Sequence, residues 1–486
     1  MKIRIALTLL FLILGTSCAD LPDESPNQTP INNAQYDTEK EMLGKNSYEL
    51  GLALSGGGLR SSLYSYGALK ALYDAGILQN VDIISSVSGG GYTAYSLFTN
   101  EQNSSFGSFQ FSDKNIYKNT CDLIVVKGKF VTTKQIIWAA LSFNPNEEAV
   151  KLYEKSIGRT FSGEKYGSDL FKINQLLPEM QEGKLPFWVI NTTVQSPDAT
   201  GWSDGLFEFT PKWMGNDTYG YQEWTEANSV KLRKTIAISG AAFAPLLQQD
   251  VSVSLPKLNA TLTQSDGGHS ENLGAVALIK RGVKNIIIID AEHDPSYEYG
   301  AYFNLKNRLS AFGTSLKIKS IEQVVSNKER PKTAVHIGET QSEFGKSKIY
   351  YIKMSMPTSI DKVINDKKAF ANGLISYNKY FDVLENNKNS DNGNWDCNFV
   401  KDLNFSLDDF YAYKIATYSE FLNNDSYVRN FDKFDKIHQL TGDFFYSKFP
   451  QYTTIDQSFY LDQSIAFMGL GYHSTKELTN IFKLSN

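Results

Sequence analysis

The sequence lacks the residue spacings on which metal sites and disulfide frameworks depend. It contains three cysteines and five histidines among 486 residues, with neither a Cys-x-x-Cys pair nor a His-Glu-x-x-His segment. Zinc sites are built from clusters of this kind, so we expect no metal ion. Cys121 and Cys397 lie far apart along the chain. We predict two isolated thiols there, although the two could pair in an oxidising compartment.

An excess of positive charge is also missing. The formal net charge is −5 with histidine neutral, and loss of an N-terminal segment containing Lys2 and Arg4 would make the chain more acidic. Nucleic-acid-binding proteins usually carry a basic surface, so the charge argues against a nucleic-acid partner. With 41% apolar residues, the chain can instead bury one large core or two ordinary ones.

The apolar segment at the N terminus is too short to span a bilayer. Lys2 and Arg4 precede the apolar run 5–14, and the small residues 15–17 lie directly before Cys18. This order predicts a signal peptide over residues 1–17. A cysteine after small residues resembles the lipobox of bacterial lipoproteins, which implies that Cys18 is acylated and anchors the chain in the envelope of a Gram-negative-type bacterium. An ordinary secretory signal with an incidental cysteine is the alternative.

The segment 18–46 has few large apolar side chains and is rich in Asp, Glu, Asn, Pro and Gln. A segment of this composition cannot bury enough apolar surface to pack. We therefore predict a flexible tether over residues 18–46, with ordered structure beginning at Tyr48.

A buried strand and a helix are predicted on either side of the first glycine-rich segment. Leu50, Leu52 and Leu54 alternate with small residues before the turn 55–58, which is typical of a strand that ends in a tight turn. In the segment that follows, apolar residues recur at helical spacing as far as Gly76, a residue suited to a left-handed helix C-cap.

The same order of strand, glycine-rich turn and helix is repeated over residues 81–98. Further β-branched or aromatic runs at 187–190 and 286–289 predict more strands. Strands alternating with helices indicate an α/β fold with a largely parallel central sheet sandwiched by helices. Ligands of such sheets bind at the carboxyl ends of the strands, where both glycine-rich turns lie. Residues 311–486 give a weaker, helical or irregular pattern, and we predict a C-terminal elaboration packed on the core.

Ser88 is the best candidate for a nucleophilic side chain. A serine lifted out of a sheet on a strained turn needs small residues two positions before and after it, and Ser86 and Gly90 meet this requirement. Ser86 itself fails the same test, because Ile84 is large. From the turn alone, a glycine-rich hinge without chemistry is an equal alternative.

The triplet Gly56-Gly57-Gly58 could supply the donors that a developing oxyanion needs. Glycine lets backbone N–H groups approach a ligand closely, and the N terminus of the following helix carries partial positive charge. We expect Arg60 to add a full positive charge at the rim. A P-loop or dinucleotide fingerprint is disfavoured, because no lysine follows at the required spacing and Ser61 stands where the third glycine would be.

Three ordered motifs resemble those of the patatin-like and cytosolic phospholipase superfamily. They are Leu54-Ser55-Gly56-Gly57-Gly58-Leu59-Arg60, Ser86-Val87-Ser88-Gly89-Gly90 and Asp266-Gly267-Gly268. The chain is also similar to bacterial members at 239–243, 271–274, 286–294 and 449–457. The resemblance implies a patatin-like, α/β-hydrolase-related catalytic domain over residues 47–310.

The resemblance also implies that a Ser-Asp dyad replaces a Ser-His-Asp triad. Ser88 is then the nucleophile, Asp266 its base and the glycine triplet the oxyanion hole, with Gly90, Gly267 and Gly268 in supporting positions. A carboxylate of ordinary pKa is a poor base for a hydroxyl, so we expect partial burial to raise the pKa of Asp266. Without the other motifs, a simple turn aspartate would be the preferred interpretation.

A catalytic triad that includes a histidine is an alternative to the dyad, because two histidines lie close to the motifs in sequence. His269 follows Asp266 by three residues, and His293 follows the predicted strand that ends at Asp290. A loop or capping histidine is the more frequent case. Asp290 and Asp294 are interpreted as residues that stabilise the end of this strand.

The reaction implied by the resemblance is hydrolysis of lipid esters through an acyl-enzyme, of phospholipase or lysophospholipase type and without a cofactor. The implied substrate is a membrane phospholipid or lysophospholipid, reached from the anchor at Cys18. The alternatives are an acyltransferase that uses the same serine and a catalytically silent lipid-binding lipoprotein. A nucleotide-binding enzyme is disfavoured, because the glycine triplet matches neither a P-loop nor a dinucleotide fingerprint. The oligomeric state is not predicted.

Overall fold

The computed structural model describes most of the predicted core. The described residues are 34–99, 154, 157–158, 161, 171–194, 205–225, 229–240, 251–255, 260–386, 409, 411–417, 449–451 and 461–485. The predicted signal peptide, Cys18, Cys121 and Cys397 lie outside them.

Twelve strands of the described residues form one mixed sheet. They are β1 (Leu50–Leu54), β2 (Ile83–Val87), β3 (Phe187–Val194), β4 (Leu206–Phe209), β5 (Trp213–Asn216), β6 (Gly220–Glu223), β7 (Val251–Leu255), β8 (Ala260–Asp266), β9 (Asn285–Asp290), β10 (Ser315–Lys317), β11 (Val335–Ser342) and β12 (Gly345–Lys353). Their order across the sheet is β10-β11-β12-β9-β1-β2-β3-β4-β5-β6, and β8 pairs with both β3 and β7.

The middle of this sheet is parallel. Strands β12, β9, β1, β2 and β3 run in one direction, whereas the outer pairs and the β3–β8 pair are antiparallel. The predicted fold class, with a largely parallel central sheet, is therefore confirmed.

Helices and short 3-10 turns connect the strands. The helices are α1 (Ala34–Met42), α2 (Gly58–Asp74), α3 (Ser88–Thr99), α4 (Leu177–Gln181), α5 (Leu232–Ser239), α6 (Ala275–Lys280), α7 (Gly300–Ala311), α8 (Lys319–Asn327), α9 (Asp361–Ile364), α10 (Lys367–Asn386) and α11 (Leu461–Ser485). After α2 the chain turns at Gly76 with φ +72°, the left-handed conformation predicted for this residue. In the part of the chain that the structure describes, no helix combines the length and the apolar character needed to cross a membrane.

Helices cover both faces of the central strands. Neighbouring residues of a strand face opposite sides of a sheet, and β2 carries Ser85 and Ser86 in succession. A Cβ placed on Gly274, just before α6, would lie 3.2 Å from Ser85 Oγ, and one placed on Gly91 of α3 would lie 3.7 Å from Ser86 Oγ. Helices α6 and α3 thus lie on opposite faces. All residues of β1, β2 and β3 are buried between these layers.

The ordered core begins earlier than the sequence indicated. Tyr36 and Glu39 of α1 are buried, and Arg281 Nε donates to Glu39 Oε1 at 2.9 Å. Arg281 Nη2 also donates to Glu208 Oε2 at 2.8 Å, and its guanidinium lies 4.5 Å from the ring centre of Tyr36. The prediction of a flexible tether is therefore wrong for residues 34–42. A buried ion pair holds residues 34–42 against the core. The polar composition of this segment gave no sign of such an interaction.

The chain after residue 310 belongs to the same sheet. Strands β10, β11 and β12 extend it beyond β9, so the predicted boundary at residue 310 divides a continuous structure. Helix α11 packs closely on α2, where a Cβ on Gly67 would lie 1.8 Å from the main-chain O of Met468.

Candidate active site

Ser88 stands at the junction of β2 and α3, at the carboxyl edge of the parallel strands. Its φ of +48° places a non-glycine residue in the left-handed region, a strained conformation that is frequent at functional sites. A Cβ on Gly90 would lie 2.4 Å from the main-chain O of Leu54, so the turn requires the small residue that the sequence predicted there. The hydroxyl of Ser86 accepts a hydrogen bond from Trp188 Nε1 at 3.0 Å and belongs to the core.

Asp266 reaches Ser88 from a distant part of the chain. It ends β8, which runs antiparallel to β3 with Asp266 opposite Thr192. Ser88 Oγ donates to Asp266 Oδ2 at 2.9 Å across a sequence separation of 178 residues. The N–H of Gly268 donates to Asp266 Oδ1 at 2.7 Å, so both oxygens of the carboxylate are engaged. The two residues predicted from different motifs are thus in direct contact.

Burial is the largest influence on the pKa of Asp266. Ser88 is 5% exposed and Asp266 4% exposed. Burial raises the pKa of Asp266 above its ordinary value, and the opposing influences of His269, of the Gly268 N–H and of the Ser88 hydroxyl do not cancel the increase. The shift has the direction predicted from the sequence and makes the carboxylate a stronger base.

The two candidate histidines occupy different positions around the site. His269 is exposed, and its Nδ1 lies 3.1 Å from Ser265 Oγ. His293 is half-buried in the segment between β9 and α7. The Ser88 hydroxyl donates to Asp266 directly and not through either histidine.

The glycine triplet packs against the turn that carries Ser88. Gly57 and Gly58 have φ values of +134° and +63°, which favour glycine, and a Cβ on Gly89 would lie 2.0 Å from the main-chain O of Gly58. Helix α2 begins at Gly58, and the first N–H groups of a helix have no partner within it. Among the described residues, neither the Gly57 N–H nor the Gly58 N–H meets an acceptor. Both are available to a ligand beside Ser88.

Gly56 does not share this property. Its N–H donates to the main-chain O of Asn272 at 2.8 Å. The prediction that Gly56 contributes a donor to the oxyanion hole is therefore wrong. Its small size is nevertheless required, because a Cβ there would lie 2.2 Å from Asn272 Oδ1.

Arg60 also differs from the prediction, which placed its charge at the rim. The side chain is 1% exposed, and its Nε and Nη2 donate to the main-chain O of Ala291 at 3.2 and 3.0 Å. Burial lowers the pKa of Arg60 to about 10, while Asp290 and Glu292 act in the opposite direction. A Cβ on Gly57 would lie 3.0 Å from Arg60 Nη2. Arg60 therefore supports the glycine triplet from inside the protein.

A buried lysine holds the end of β9 beside this support. Lys353 Nζ lies 2.8 Å from Asp290, 3.2 Å from Asp294 and 3.3 Å from Glu292. Asp294 also accepts hydrogen bonds from the N–H groups of Glu298 and Tyr299. The interpretation of Asp290 and Asp294 as strand-end residues agrees with these contacts. Burial raises the pKa of Glu292 to about 7, and the charge of Lys353 limits the increase.

Sequence reasoning missed three polar residues around Ser88. Ser239 accepts a hydrogen bond from the Ser88 N–H at 2.9 Å. Asn191 donates from Nδ2 to Ser85 Oγ and to the main-chain O of Ser86, and Asn272 lies between the glycine loops. Ser239 and Asn272 stand in segments noted for their resemblance to bacterial members, but those segments carried no chemical signature. Asn191 directly follows a predicted apolar strand, where a polar side chain was the available signal.

No group of three or more His, Cys, Asp or Glu side chains is placed to hold a metal ion in the described ranges.

Comparison with known proteins gives a family match over this region. Residues 52–279 match the family model of patatin-like phospholipases, while no curated protein matches the chain significantly. The structure of human GIVD cytosolic phospholipase A2 is similar with a TM-score of 0.56 and 12% identity, over 96% of this chain and 66% of that one.

The same human enzyme in complex with methyl gamma-linolenyl fluorophosphonate is similar with a TM-score of 0.55 and 12% identity, over 94% of this chain and 63% of that one. The chain thus spans just under two thirds of the length of these structures, and the likeness establishes the fold alone. The family match covers residues 52–279, which contain Ser88, Asp266 and the glycine triplet, so this part of the chain matches a patatin-like phospholipase domain.

Proposed function

We propose that the protein hydrolyses ester bonds of membrane lipids, with Ser88 as the nucleophile and Asp266 as its base. The observation that carries this proposal is the 2.9 Å hydrogen bond from Ser88 Oγ to Asp266 Oδ2. A serine hydroxyl becomes an effective nucleophile when a base within hydrogen-bond reach takes its proton. The raised pKa of Asp266 brings its basicity closer to the pH range in which enzymes operate.

The reaction has two halves. As Ser88 Oγ bonds to the acyl carbon, its proton passes to Asp266, and the N–H groups of Gly57 and Gly58 bind the carbonyl oxygen that becomes negative. The C–O bond to the leaving alcohol then breaks, and the alcohol takes the proton from Asp266. Water next gives a proton to Asp266 and attacks the acyl-enzyme. The fatty acid is released and the proton returns to Ser88, so no cofactor is consumed.

The proposed substrate is a phospholipid or a lysophospholipid. The match to patatin-like phospholipases supports a lipid ester. The human cytosolic phospholipase A2 of similar fold is in complex with methyl gamma-linolenyl fluorophosphonate, a ligand whose name combines a fluorophosphonate group with a fatty chain. Both support a site that accepts an acyl chain beside a nucleophile.

The proposed location is a bacterial cell envelope. The lipobox-like segment before Cys18 supports acylation of that cysteine, and more than one attached chain gives stable anchoring to a bilayer. The anchor would bring the acidic chain to lipid that its net charge of −5 does not attract. Labelling cells with an alkyne analogue of palmitate should tag the wild-type protein and not Cys18→Ser. Equal labelling of both would contradict this part of the proposal.

The catalytic assignment is tested by covalent labelling and by product release. A fluorophosphonate should add its mass to the peptide containing Ser88, and purified protein should release fatty acid from vesicles of phosphatidylcholine or lysophosphatidylcholine. Both signals should disappear in Ser88→Ala and fall by about 10⁴-fold in Asp266→Asn, because these residues act as one unit. Ser86→Ala is the matched control, since it removes a neighbouring hydroxyl of β2 that accepts from Trp188 and leaves the Ser88–Asp266 contact intact. Its thermal unfolding is measured alongside, because the change leaves the Trp188 N–H without this acceptor. Equal fatty-acid release by wild type and Ser88→Ala would overturn the assignment.

A further inference from the structure

Asn272 lies between the two loops that build the site. A Cβ placed on Gly56 would meet Asn272 Oδ1 at 2.2 Å and Ser88 Cβ at 3.4 Å. A Cβ placed on Gly268 would meet the same Asn272 Oδ1 at 2.9 Å and Asp266 Oδ1 at 3.1 Å. The amide of Asn272 therefore borders the space that Ser88 and Asp266 share.

The main chain of Asn272 occupies the Gly56 N–H, which was one of the expected oxyanion donors. Its main-chain O accepts the N–H of Gly56 at 2.8 Å, so two N–H groups of the triplet are left for a ligand. The side chain of Asn272 is half-buried, and its amide has no hydrogen-bond partner among the described residues. An amide group can turn either its NH₂ or its oxygen toward a neighbour, because the two ends have nearly the same shape. A donor is thus present where the Gly56 N–H is no longer available.

We propose that the side-chain NH₂ of Asn272 contacts the acyl carbonyl of the substrate and joins Gly57 and Gly58 as an oxyanion donor. This inference rests on the proposed function and adds a catalytic residue to it. Such a donor strengthens its hydrogen bond as negative charge develops, so it lowers the barrier of the chemical step more than it improves substrate binding. The site then offers three donors from two loops.

Two variants test whether the Asn272 side chain acts as a hydrogen-bond donor or only fills space. Asn272→Leu keeps a similar volume without polar atoms, and Asn272→Asp keeps the shape without a donor. With a short soluble ester such as p-nitrophenyl butyrate, both should lower the plateau kcat by about 100-fold or more and change KM much less. A near-normal kcat in either variant would overturn the proposal, because the donor is missing in both.

The pH profile gives a second readout. Asn272→Asp places a negative charge close to Asp266, which should raise the pKa of Asp266 further and move the acidic limb of kcat/KM to higher pH. An unchanged limb would contradict the placement of the amide beside Asp266. Asn80→Leu is the matched control, because Asn80 is exposed at the opposite edge of the sheet and donates to the main-chain O of Gly76 at 2.8 Å.

The outcomes also separate this inference from the function on which it rests. An inactive Ser88→Ala together with wild-type kcat in the Asn272 variants would overturn the role of Asn272 alone. Equal turnover by wild type and Ser88→Ala would overturn the function and the role of Asn272 with it. Thermal unfolding of each variant establishes that a lost kcat does not come from a lost fold.

Discussion

The peptide N–H of Ser88 donates a hydrogen bond to Oγ of Ser239 at 2.9 Å. Ser239 Oγ in turn donates to the main-chain O of Asn191 at 2.7 Å. One buried hydroxyl at the end of α5 therefore ties the strained turn that carries the nucleophile to β3. Because β3 also pairs with the end of β8 at Asp266, the same strand positions both members of the dyad.

We expect Ser239→Ala to weaken this connection. The change leaves the buried N–H of Ser88 and the main-chain O of Asn191 without their common partner, which costs about 1–3 kcal/mol of stability. It should also slow the reaction of Ser88 with a fluorophosphonate, because the turn is no longer held at its positive φ. Urea denaturation and the rate of labelling measure the two effects. Ser326→Ala, at an exposed position, should change neither, and an unchanged labelling rate in Ser239→Ala would contradict a positioning role.

The sequence predicted the elements whose signals are local. Alternating leucines ahead of glycines are sufficient to recognise β1 and its turn, and the steric rule for small neighbours is sufficient to choose Ser88 over Ser86. Asp266 is different, because its local sequence is an ordinary aspartate before two glycines. Its selection depended on a family resemblance, and its contact with Ser88 is formed only by the pairing of β3 with β8.

The sequence could not predict which charged side chains are buried. A charged side chain in a sequence is normally read as exposed, and the partners that make burial tolerable are distant. Arg281 pairs with Glu39 across 242 residues, and Lys353 pairs with Asp290 across 63. The same reasoning explains the error at Arg60, whose acceptor is the main-chain O of Ala291, 231 residues away.

Gly57→Ala is expected to abolish most activity. The residue has φ +134°, and a Cβ there would lie 2.7 Å from the main-chain O of Ala291, a rigid neighbour that cannot yield without moving β9. The N–H groups of the triplet would be displaced from Ser88, so kcat should fall by about 100-fold or more. Gly76→Ala is the control for backbone strain alone, since Gly76 has φ +72° and nothing within 4 Å of its Cβ position. It should cost about 1–2 kcal/mol of stability, because an alanine is strained in the left-handed conformation, and it should leave kcat normal.

The pH dependence of kcat/KM should follow the ionisation of Asp266. The base acts as a carboxylate, so activity should fall as pH decreases through its pKa, and burial places that midpoint above the ordinary 3.8. His269 acts to lower the pKa of Asp266, so His269→Ala should move the midpoint to higher pH while the plateau is kept. Near-complete loss of turnover in His269→Ala or His293→Ala would instead indicate a triad.

Lys353→Met should destabilise the protein strongly and in a pH-dependent manner. Lys353 is fully buried among Asp290, Glu292 and Asp294, and removing one member of such a group leaves buried charge without compensation, at a cost of about 3–5 kcal/mol.

The direction of the pH effect follows from Glu292 and Asp294. Burial already raises the pKa of Glu292 to about 7 against the attraction of Lys353. For Asp294, burial acts to raise the pKa, but Lys353 and the N–H groups of Tyr299 and Glu298 outweigh it and hold the pKa low. Without the lysine both pKa values rise in the folded state, and acids with raised folded pKa values lose stability as pH increases through them. In urea denaturation, Lys353→Met should therefore lose more free energy of unfolding at pH 8 than at pH 5.

Lys346→Met is the control, because it breaks the exposed pair with Glu339 and should have little effect at either pH. An equally small effect of Lys353→Met would contradict the role of Lys353 in holding the end of β9.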